Sequence, residues 1–342
     1  MYFRENVPLA PLTTLKVGGP ARFFARAKYE EDVIQAFEYA SRNALQVFVL
    51  GGGSNILVSD KGFDGLVIQI AQKGISTNGP VITAQAGEDW DEFVRSCVER
   101  NLAGIECLSG IPGFVGGTPV QNVGAYGQEV SETIVTVRCF DRSDREIVEL
   151  DNSACGFTYR RSIFNSTARD RYVVLAVTYV LTENGAPSIA YKDLREYFTG
   201  RSPTLLETRE AVLKIRRAKS MVIDPGDPNS RSAGSFFKNP VVDQAVLDSI
   251  TAERQHANVP YFTADNGRVK IPAAWLIEQS GFRKGYRLGN AGISTNHSLA
   301  IVNFGRASAT EIVDLKTRIQ EGVEQKFGIH LQPEPVFVGF DQ

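Results

Sequence analysis

The hydrophobic and polar positions of this 342-residue chain follow two periods, one typical of helices and one typical of strands. Helical spacing of apolar residues predicts helices at 30–43, 90–100, 207–218, 243–255, 273–280 and 309–327. Short aliphatic and β-branched runs predict strands at 47–50, 56–60, 81–88, 134–140, 145–150 and 172–181. This mixture of elements is typical of the α+β class.

Composition also predicts where the chain divides into domains. A chain of this length is expected to hold two or three of them. A polar stretch with Pro187, Gly200 and Pro203 precedes the predicted helix at 207–218, and we place the main boundary there. We therefore predict a first domain at 1–215 with subdomains at about 1–70 and 71–215, a second domain at 216–330, and a tail at 331–342.

One segment, at 110–127, is too rich in glycine for an ordinary helix, strand or linker. Glycine recurs at 110, 113, 116, 117, 124 and 127, and each glycine fixed in a folded chain costs about 0.5–1 kcal/mol relative to alanine. A mobile surface loop is the alternative, but apolar residues such as Ile111, Val115 and Val120 are interleaved with the glycines. The pattern predicts that a ligand or another backbone approaches this segment closely.

A second glycine segment, Gly51-Gly52-Gly53-Ser54-Asn55, joins two predicted strands. A dinucleotide-binding Rossmann turn would need a further glycine and a following helix, and the P-loop pattern is absent. What remains is a nest of backbone N–H groups that can hold a pyrophosphate, or alternatively a plain turn. Two such nests in one α+β domain suggest a large phosphorylated ligand, and flavin adenine dinucleotide (FAD) fits that description.

The bulk composition excludes several classes of function. A formal net charge of -2 argues against nucleic-acid binding by a basic surface. The 4 cysteines have no Cys-x-x-Cys spacing and only 3 histidines accompany them, so we predict no metal site. The chain shows neither a signal peptide nor an apolar run of membrane-spanning length, and we expect a cytoplasmic protein with reduced thiols, no membrane association and no obligate protein partner.

Several motifs together resemble one family. They are TLKVGGPA at 14–21, LGGGSN at 50–55, IPG at 111–113, NVGAYG at 122–127, YRRSIF at 159–164, GSFFKNP at 234–240 and PE at 333–334. This set resembles the UDP-N-acetylenolpyruvoylglucosamine reductases (the MurB family), and a segment around Tyr191 resembles the longer type with a tyrosine loop. The likeness spans nearly the whole chain.

The resemblance implies a fold and a reaction. The fold is a p-cresol-methylhydroxylase-type FAD-binding domain of two α+β subdomains, followed by a smaller α+β substrate-binding domain and a tail that returns Glu334 to the FAD domain. FAD is bound noncovalently, and NADPH supplies the hydride that reduces UDP-N-acetylglucosamine enolpyruvate to UDP-N-acetylmuramate in peptidoglycan synthesis. Ser235 corresponds to the proton donor, while Arg160 and Glu334 correspond to the pair that stabilises the enol and its carboxylate. Without the motif, Arg160 could be a surface residue, with Arg161 or Arg169 in its place.

The resemblance also implies binding residues. The expected FAD contacts are Gly51, Gly52, Gly53, Ser54, Asn55, Ile111, Gly113, Gly117, Thr118, Asn122 and Gly124. The expected substrate contacts are Tyr191, Lys219, Asn239 and His297, where lysine suits a diphosphate and tyrosine can cover it.

The chain departs from the family pattern at Pro335, after the expected glutamate, and at a longer segment at 225–231. Two rival functions are an FAD-dependent alcohol or aldose oxidase of the same flavin fold and a nonenzymatic sugar-nucleotide sensor. The oxidase predicts a residue that attaches flavin covalently and a different C-terminal domain, and no histidine precedes His256. The sensor predicts loss of Ser235, Arg160 and Glu334, which are all present.

Overall fold

The computed structural model describes residues 1–253 and 259–340. The end of the helix predicted at 243–255, His256 and the last two residues of the predicted tail lie outside the described residues. The described helices are α1 Glu30–Arg42, α2 Trp90–Glu99, α3 Lys192–Tyr197, α4 Leu205–Ala218, α5 Gln244–Glu253, α6 Ala273–Gln279 and α7 Ala309–Phe327.

The strands are numbered in chain order. They are β1 Arg4–Pro8, β2 Pro20–Ala27, β3 Val47–Leu50, β4 Ile56–Val58, β5 Phe63–Ile70, β6 Ile75–Asn78, β7 Val81–Gln85, β8 Leu102–Ala103, β9 Gly124–Ala125, β10 Gln128–Glu129, β11 Ile134–Asp141, β12 Glu146–Asp151, β13 Tyr172–Val180, β14 Thr182–Glu183, β15 Val241–Asp243, β16 Phe262–Thr263, β17 Arg268–Lys270, β18 Arg287–Leu288, β19 Ala291–Ile293, β20 Ile301–Asn303 and β21 Val336–Val338.

The chain folds into two compact units. The first contains residues 1–7, 20–53 and 63–222, and the second contains residues 8–19, 54–62 and 223–342. Two short N-terminal segments thus belong to the unit that holds the C-terminal third, which the sequence analysis does not predict. The predicted domain bounds at 70, 215 and 330 stay predictions.

The first unit is built on two sheets. A four-stranded sheet has the order β1-β2-β5-β3, with β5 parallel to both β2 and β3, and a five-stranded antiparallel sheet has the order β12-β11-β13-β7-β6. Alternate residues of β5, including Leu66 and Ile68, share one buried core with Trp90, Phe93 and Val94 of α2. This core fixes the end of β3, from which the glycine segment at 51–55 continues.

The second unit packs α6 and α7 with short sheets. Strands β18, β19 and β20 form one sheet, β15, β17 and β16 form another, and β21 pairs in parallel with β4. Helix α7 begins where the Ser308 hydroxyl accepts a hydrogen bond from the Glu311 amide and ends before Gly328, whose φ of 66° is left-handed. Ile312, Ile319 and other residues of its apolar stripe lie in the core of this unit.

Candidate active site

The two glycine segments predicted to bind the cofactor meet within the first unit. A Cβ atom on Gly52 would lie 2.6 Å from the Cα atom of Gly113, closer than atoms can pack. Gly113 also has a φ of 127°, a backbone conformation that favours glycine. Glycine is therefore required at Gly52 because the two backbones touch, and at Gly113 because of its backbone conformation.

Other glycines of the same segments face open space. A Cβ atom on Gly51 or on Gly117 would have no protein atom within 4 Å, apart from its own chain neighbours. At these two positions the backbone carries no side chain and a ligand has room to approach it. The Gly117 N–H already donates to the Phe114 carbonyl at 3.0 Å, so the feature that fits FAD is the open space at Gly51 and Gly117, which lets a ligand approach the backbone closely.

Side chains from other parts of the first unit hold the glycine-rich segment at 110–127 in place. The Asp91 carboxylate accepts hydrogen bonds from the Gly110 amide at 2.6 Å and from both terminal nitrogens of Arg209. Although burial of Asp91 favours its protonated form, the bonds from Arg209 and Gly110 outweigh that effect and lower the pKa of this carboxyl below 3.8. Asp91 is a structural residue that the sequence analysis does not identify.

Two predicted cofactor residues use their side chains inside the protein. The buried Thr118 hydroxyl bonds to the Val115 carbonyl at 2.8 Å and to the Tyr179 hydroxyl at 2.9 Å. The Asn122 amide donates to Glu129 and to the Thr158 carbonyl, and its oxygen accepts from the Ser131 amide. These side chains stabilise the segment, and their contacts with FAD stay predictions.

Arg160 lies against the end of the glycine-rich segment. One of its terminal nitrogens donates to the Gly124 carbonyl at 3.0 Å, and a Cβ atom on Gly124 would lie 3.4 Å from the other. The residue has a φ of 55°, an uncommon conformation for a side chain of this size, and the side-chain amide of Asn165 donates to its backbone carbonyl. The predicted catalytic arginine is thus positioned by the segment predicted to bind FAD.

Ser235 and Glu334 lie on two paired segments of the second unit. The Glu334 amide donates to the Phe236 carbonyl at 2.9 Å, the Lys238 amide donates to the Gln332 carbonyl at 2.9 Å, and Phe237 forms an antiparallel bridge with Pro333. Both side chains are partly exposed. The predicted proton donor and the predicted glutamate, almost a hundred residues apart in the chain, are therefore neighbours in this unit.

Asn55 fixes the other side of the glutamate. Its side-chain amide donates to the Glu334 carbonyl at 3.3 Å, and its own carbonyl accepts from the Val336 amide at 3.0 Å. These bonds continue the β4–β21 pairing by one step. Asn55, predicted as a cofactor residue, also sets the backbone of the predicted catalytic tail, and Pro335 is buried there without disturbing it.

Tyr191 and Lys219 lie together in the first unit. The Tyr191 ring meets the Tyr126 ring edge-on at a centroid distance of 5.3 Å, and the Lys219 ammonium lies 5.9 Å from the Tyr126 ring centroid. Lys219 also donates to the Asp193 carboxylate at 2.7 Å. Burial alone would lower the pKa of Lys219, but the bond to Asp193 and the neighbouring Tyr126 raise it. Sequence reasoning missed Tyr126 and Asp193, although both lie within or beside quoted motifs.

The remaining predicted substrate residues have structural partners. The Asn239 side-chain oxygen accepts from the Ala273 amide at 2.9 Å, at the start of α6. The Nδ1 atom of His297 accepts from the Leu299 amide at 3.1 Å, and the Leu299 carbonyl accepts from the Phe236 amide at 2.8 Å. His297 thereby supports the backbone beside Ser235, and substrate contacts for both residues stay predictions.

Comparison with known proteins adds independent evidence. The family model of the UDP-N-acetylenolpyruvoylglucosamine reductase C-terminal domain matches residues 227–338, and that of an FAD binding domain matches residues 21–151. A UDP-N-acetylenolpyruvoylglucosamine reductase of Thermobifida fusca (strain YX) is 44% identical over 354 residues, covering 98% of each chain. Another from Streptomyces coelicolor is 44% identical over 345 residues, covering 98% of this chain and 90% of that protein.

A solved structure agrees over the same length. The crystal structure of UDP-N-acetylenolpyruvylglucosamine reductase from Thermus caldophilus has a TM-score of 0.70 and 27% identity, and the match covers 98% of this chain and 100% of that one. In the described part of the chain no helix is long and apolar enough to span a membrane. The predicted α+β fold with an FAD-binding domain is confirmed, and the chain belongs to the UDP-N-acetylenolpyruvoylglucosamine reductase family.

Proposed function

We propose that this protein catalyses the NADPH-dependent reduction of UDP-N-acetylglucosamine enolpyruvate to UDP-N-acetylmuramate, a step of peptidoglycan synthesis. Family membership over nearly the whole chain supports the reaction, and the match of residues 21–151 to an FAD binding domain supports the cofactor. When bound, FAD would supply the hydride transfer that connects NADPH to the enolpyruvyl methylene carbon. The predicted cytoplasmic location and the absence of an obligate protein partner stay predictions.

One observation carries the assignment of roles, namely the backbone pairing of the Ser235 and Glu334 segments. Hydride addition leaves negative charge on the neighbouring carbon and its carboxylate, and a proton must then reach that carbon. The hydroxyl of Ser235 donates this proton. A serine is a weak acid at neutral pH, but an enol of a carboxylate is basic enough to accept a proton from it.

Glu334 and Arg160 act on the developing charge. The carboxyl group of Glu334 donates a hydrogen bond to the enolic oxygen when it is protonated. The guanidinium of Arg160 is held by the Gly124 carbonyl, and it binds the substrate carboxylate through its planar fork of N–H groups. Such donors stabilise the transition state most when they are fixed before the reaction begins.

The binding residues divide between cofactor and nucleotide. Gly51, Gly117 and the backbone beside them would hold FAD in the open space that the missing side chains leave at these positions. Lys219 binds the diphosphate of the substrate, and Tyr191 covers it. The cation and the two rings of Tyr126 and Tyr191 form one cluster that can receive a phosphorylated ligand.

The proposal is tested on the purified protein. We expect a yellow flavin spectrum that bleaches when NADPH is added without oxygen and returns when the enolpyruvyl sugar nucleotide follows. A flavin that is reoxidised without the sugar nucleotide, under anaerobic conditions, would contradict the proposed reaction. Reduction by an alcohol or an aldose in place of NADPH would instead support the rival oxidase, whose different C-terminal domain is already disfavoured by the match at 227–338.

A further inference from the structure

Lys219, which we assign to the substrate diphosphate, already forms an ion pair with the carboxylate of Asp193. The Lys219 ammonium donates to the Asp193 carboxylate at 2.7 Å, and the two side chains are 38% and 33% exposed. Both are therefore accessible to a ligand from solvent. Asp193 lies two residues after Tyr191, in the first turn of α3, and Lys219 directly follows Ala218, the last residue of α4.

The fold holds this carboxylate in place. Leu194 and Phe198 of α3 are buried in one small cluster with Ala211 and Val212 of α4. Upstream of α3, the backbone amide of Ser188 donates to the fully buried Glu106 carboxylate at 2.8 Å. The Asp193–Lys219 contact is thus a consequence of how α3 packs on α4, rather than a chance meeting of two long surface side chains.

The charges around the pair favour an anion. The groups that interact electrostatically with Lys219 are Asp193, Tyr126 and Tyr191, and the buried Arg216 also interacts with Tyr126. Arg216 also interacts with Asp91, which Arg209 binds, so the named groups comprise three cations, Lys219, Arg216 and Arg209, and two carboxylates, Asp193 and Asp91. Asp193 therefore neutralises Lys219, the partly exposed cation of this group that we assign to the diphosphate.

We propose that Asp193 is an affinity- and specificity-determining residue that competes with the ligand's phosphates for Lys219. The inference rests on the proposed function, because it takes Lys219 as the diphosphate contact. Asp193 takes one of the three N–H donors of Lys219 and neutralises its charge, so a phosphate binds Lys219 fully only when it displaces the carboxylate. A diphosphate, with its greater charge, displaces the carboxylate more readily than a monophosphate, and a ligand without phosphate gains nothing from displacing it.

The test measures binding of uridine diphosphate (UDP) and uridine to the FAD-loaded protein by calorimetry. We expect Asp193→Asn to bind UDP about two- to fivefold more tightly, the range typical of a partly exposed ion pair, and to bind uridine unchanged. Glu196→Gln is the matched control, since Glu196 forms an exposed pair with Lys192 on the same helix. The control should bind both ligands as the wild type does.

A second variant, Lys219→Met, distinguishes competition for Lys219 from a change in the structure of the site. In Lys219→Met, the Asp193→Asn substitution should no longer strengthen UDP binding. Unchanged or weaker UDP binding by Asp193→Asn, or a parallel change in uridine binding, would overturn the inference. UDP binding that is insensitive to Lys219→Met would contradict the assignment of Lys219 as the diphosphate contact, whereas failure of the anaerobic reoxidation by the enolpyruvyl sugar nucleotide would contradict the proposed function itself.

Discussion

The glycine-rich segment at 110–127 and the paired segments at 235–238 and 332–334 position their functional groups in opposite ways. In the first, side chains such as Asp91 and Ser162 bond to the backbone, at Gly110 and Val120, and the backbone is left bare. In the second, backbone bonds such as Glu334 to Phe236 fix the chain and leave side chains partly exposed.

This difference separates two tasks. A large cofactor can approach the backbone closely only where side chains are absent. The effect of replacing a glycine there therefore depends on what the added Cβ atom would contact. Proton transfer depends on a single side-chain group in a fixed position. Loss of one oxygen atom should therefore greatly slow the proton-transfer step while the fold persists. Substitutions in the two regions should therefore change different measurements.

The largest effect is expected at Ser235. Ser235→Ala should slow reoxidation of the reduced flavin by the enolpyruvyl sugar nucleotide by about 10²–10⁴-fold, the usual contribution of a positioned acid. Reduction by NADPH and the FAD content should be unchanged, as stopped-flow absorbance of each half-reaction would show. Ser249→Ala, on the exposed face of α5, is the control. An equal loss in both half-reactions would mean that Ser235 has no specific role in proton transfer.

The next effect concerns the support of the glycine-rich segment. Asp91→Asn should lower the free energy of unfolding by about 3 kcal/mol, because the Arg209 side chain is only 7% exposed and loses its charged partner. Denaturant unfolding measures this loss. Asp64→Asn, whose partner Arg22 is 57% exposed, should cost less than about 1 kcal/mol. Equal losses would show that Asp91 does not anchor this segment.

The Asp91–Arg209 ion pair also predicts how the stability of the protein depends on pH. Because the pKa of Asp91 is lower in the folded protein than its ordinary 3.8, its contribution to stability is complete above pH 3.8. It is lost as the pH falls through the lower, folded-state pKa. The stability difference between wild type and Asp91→Asn should therefore be constant near neutral pH and shrink in acid. A difference that grew in acid would contradict this sign.

Substitutions at the neighbouring residues Gly51 and Gly52 should affect cofactor binding and protein stability separately. Gly51→Ala places a methyl group in open space and should weaken FAD binding about 5- to 150-fold, an overpacking cost of about 1–3 kcal/mol, without changing apoprotein stability. Gly52→Ala meets the Gly113 backbone and should lower apoprotein stability by a similar amount. Flavin fluorescence titration and thermal unfolding measure the two effects. Tight FAD binding by Gly51→Ala would place the cofactor elsewhere.

The smallest effect is expected at Asn239. Asn239→Ala removes the bond to the Ala273 amide and should lower the free energy of unfolding by about 1 kcal/mol. A Michaelis constant for the sugar nucleotide that stays constant would limit Asn239 to this structural role. A rise in that constant would instead support the substrate contact that the motif predicts.

Local patterns predicted the elements whose causes are local. The helix predicted at 309–327 is α7, because its cap Ser308, its apolar stripe and its terminal Gly328 are all adjacent in sequence. The strand β5, at the centre of a sheet, was not predicted, since Asp64 and Gly65 interrupt its apolar run. Helix α3 was missed because its six residues are too few to show a period.

The sequence by itself determined the family, the cofactor class and the residues to suspect, because glycines, capping residues and motifs are properties of neighbouring positions. Only the tertiary structure decided that Gly52 meets Gly113, that Glu334 pairs beside Ser235, and that Asp193 holds Lys219. Each of these contacts joins residues far apart in the chain. Such contacts follow from the packing of whole helices and strands. Neither the periodicity of apolar residues nor the spacing of motifs in the sequence predicts them.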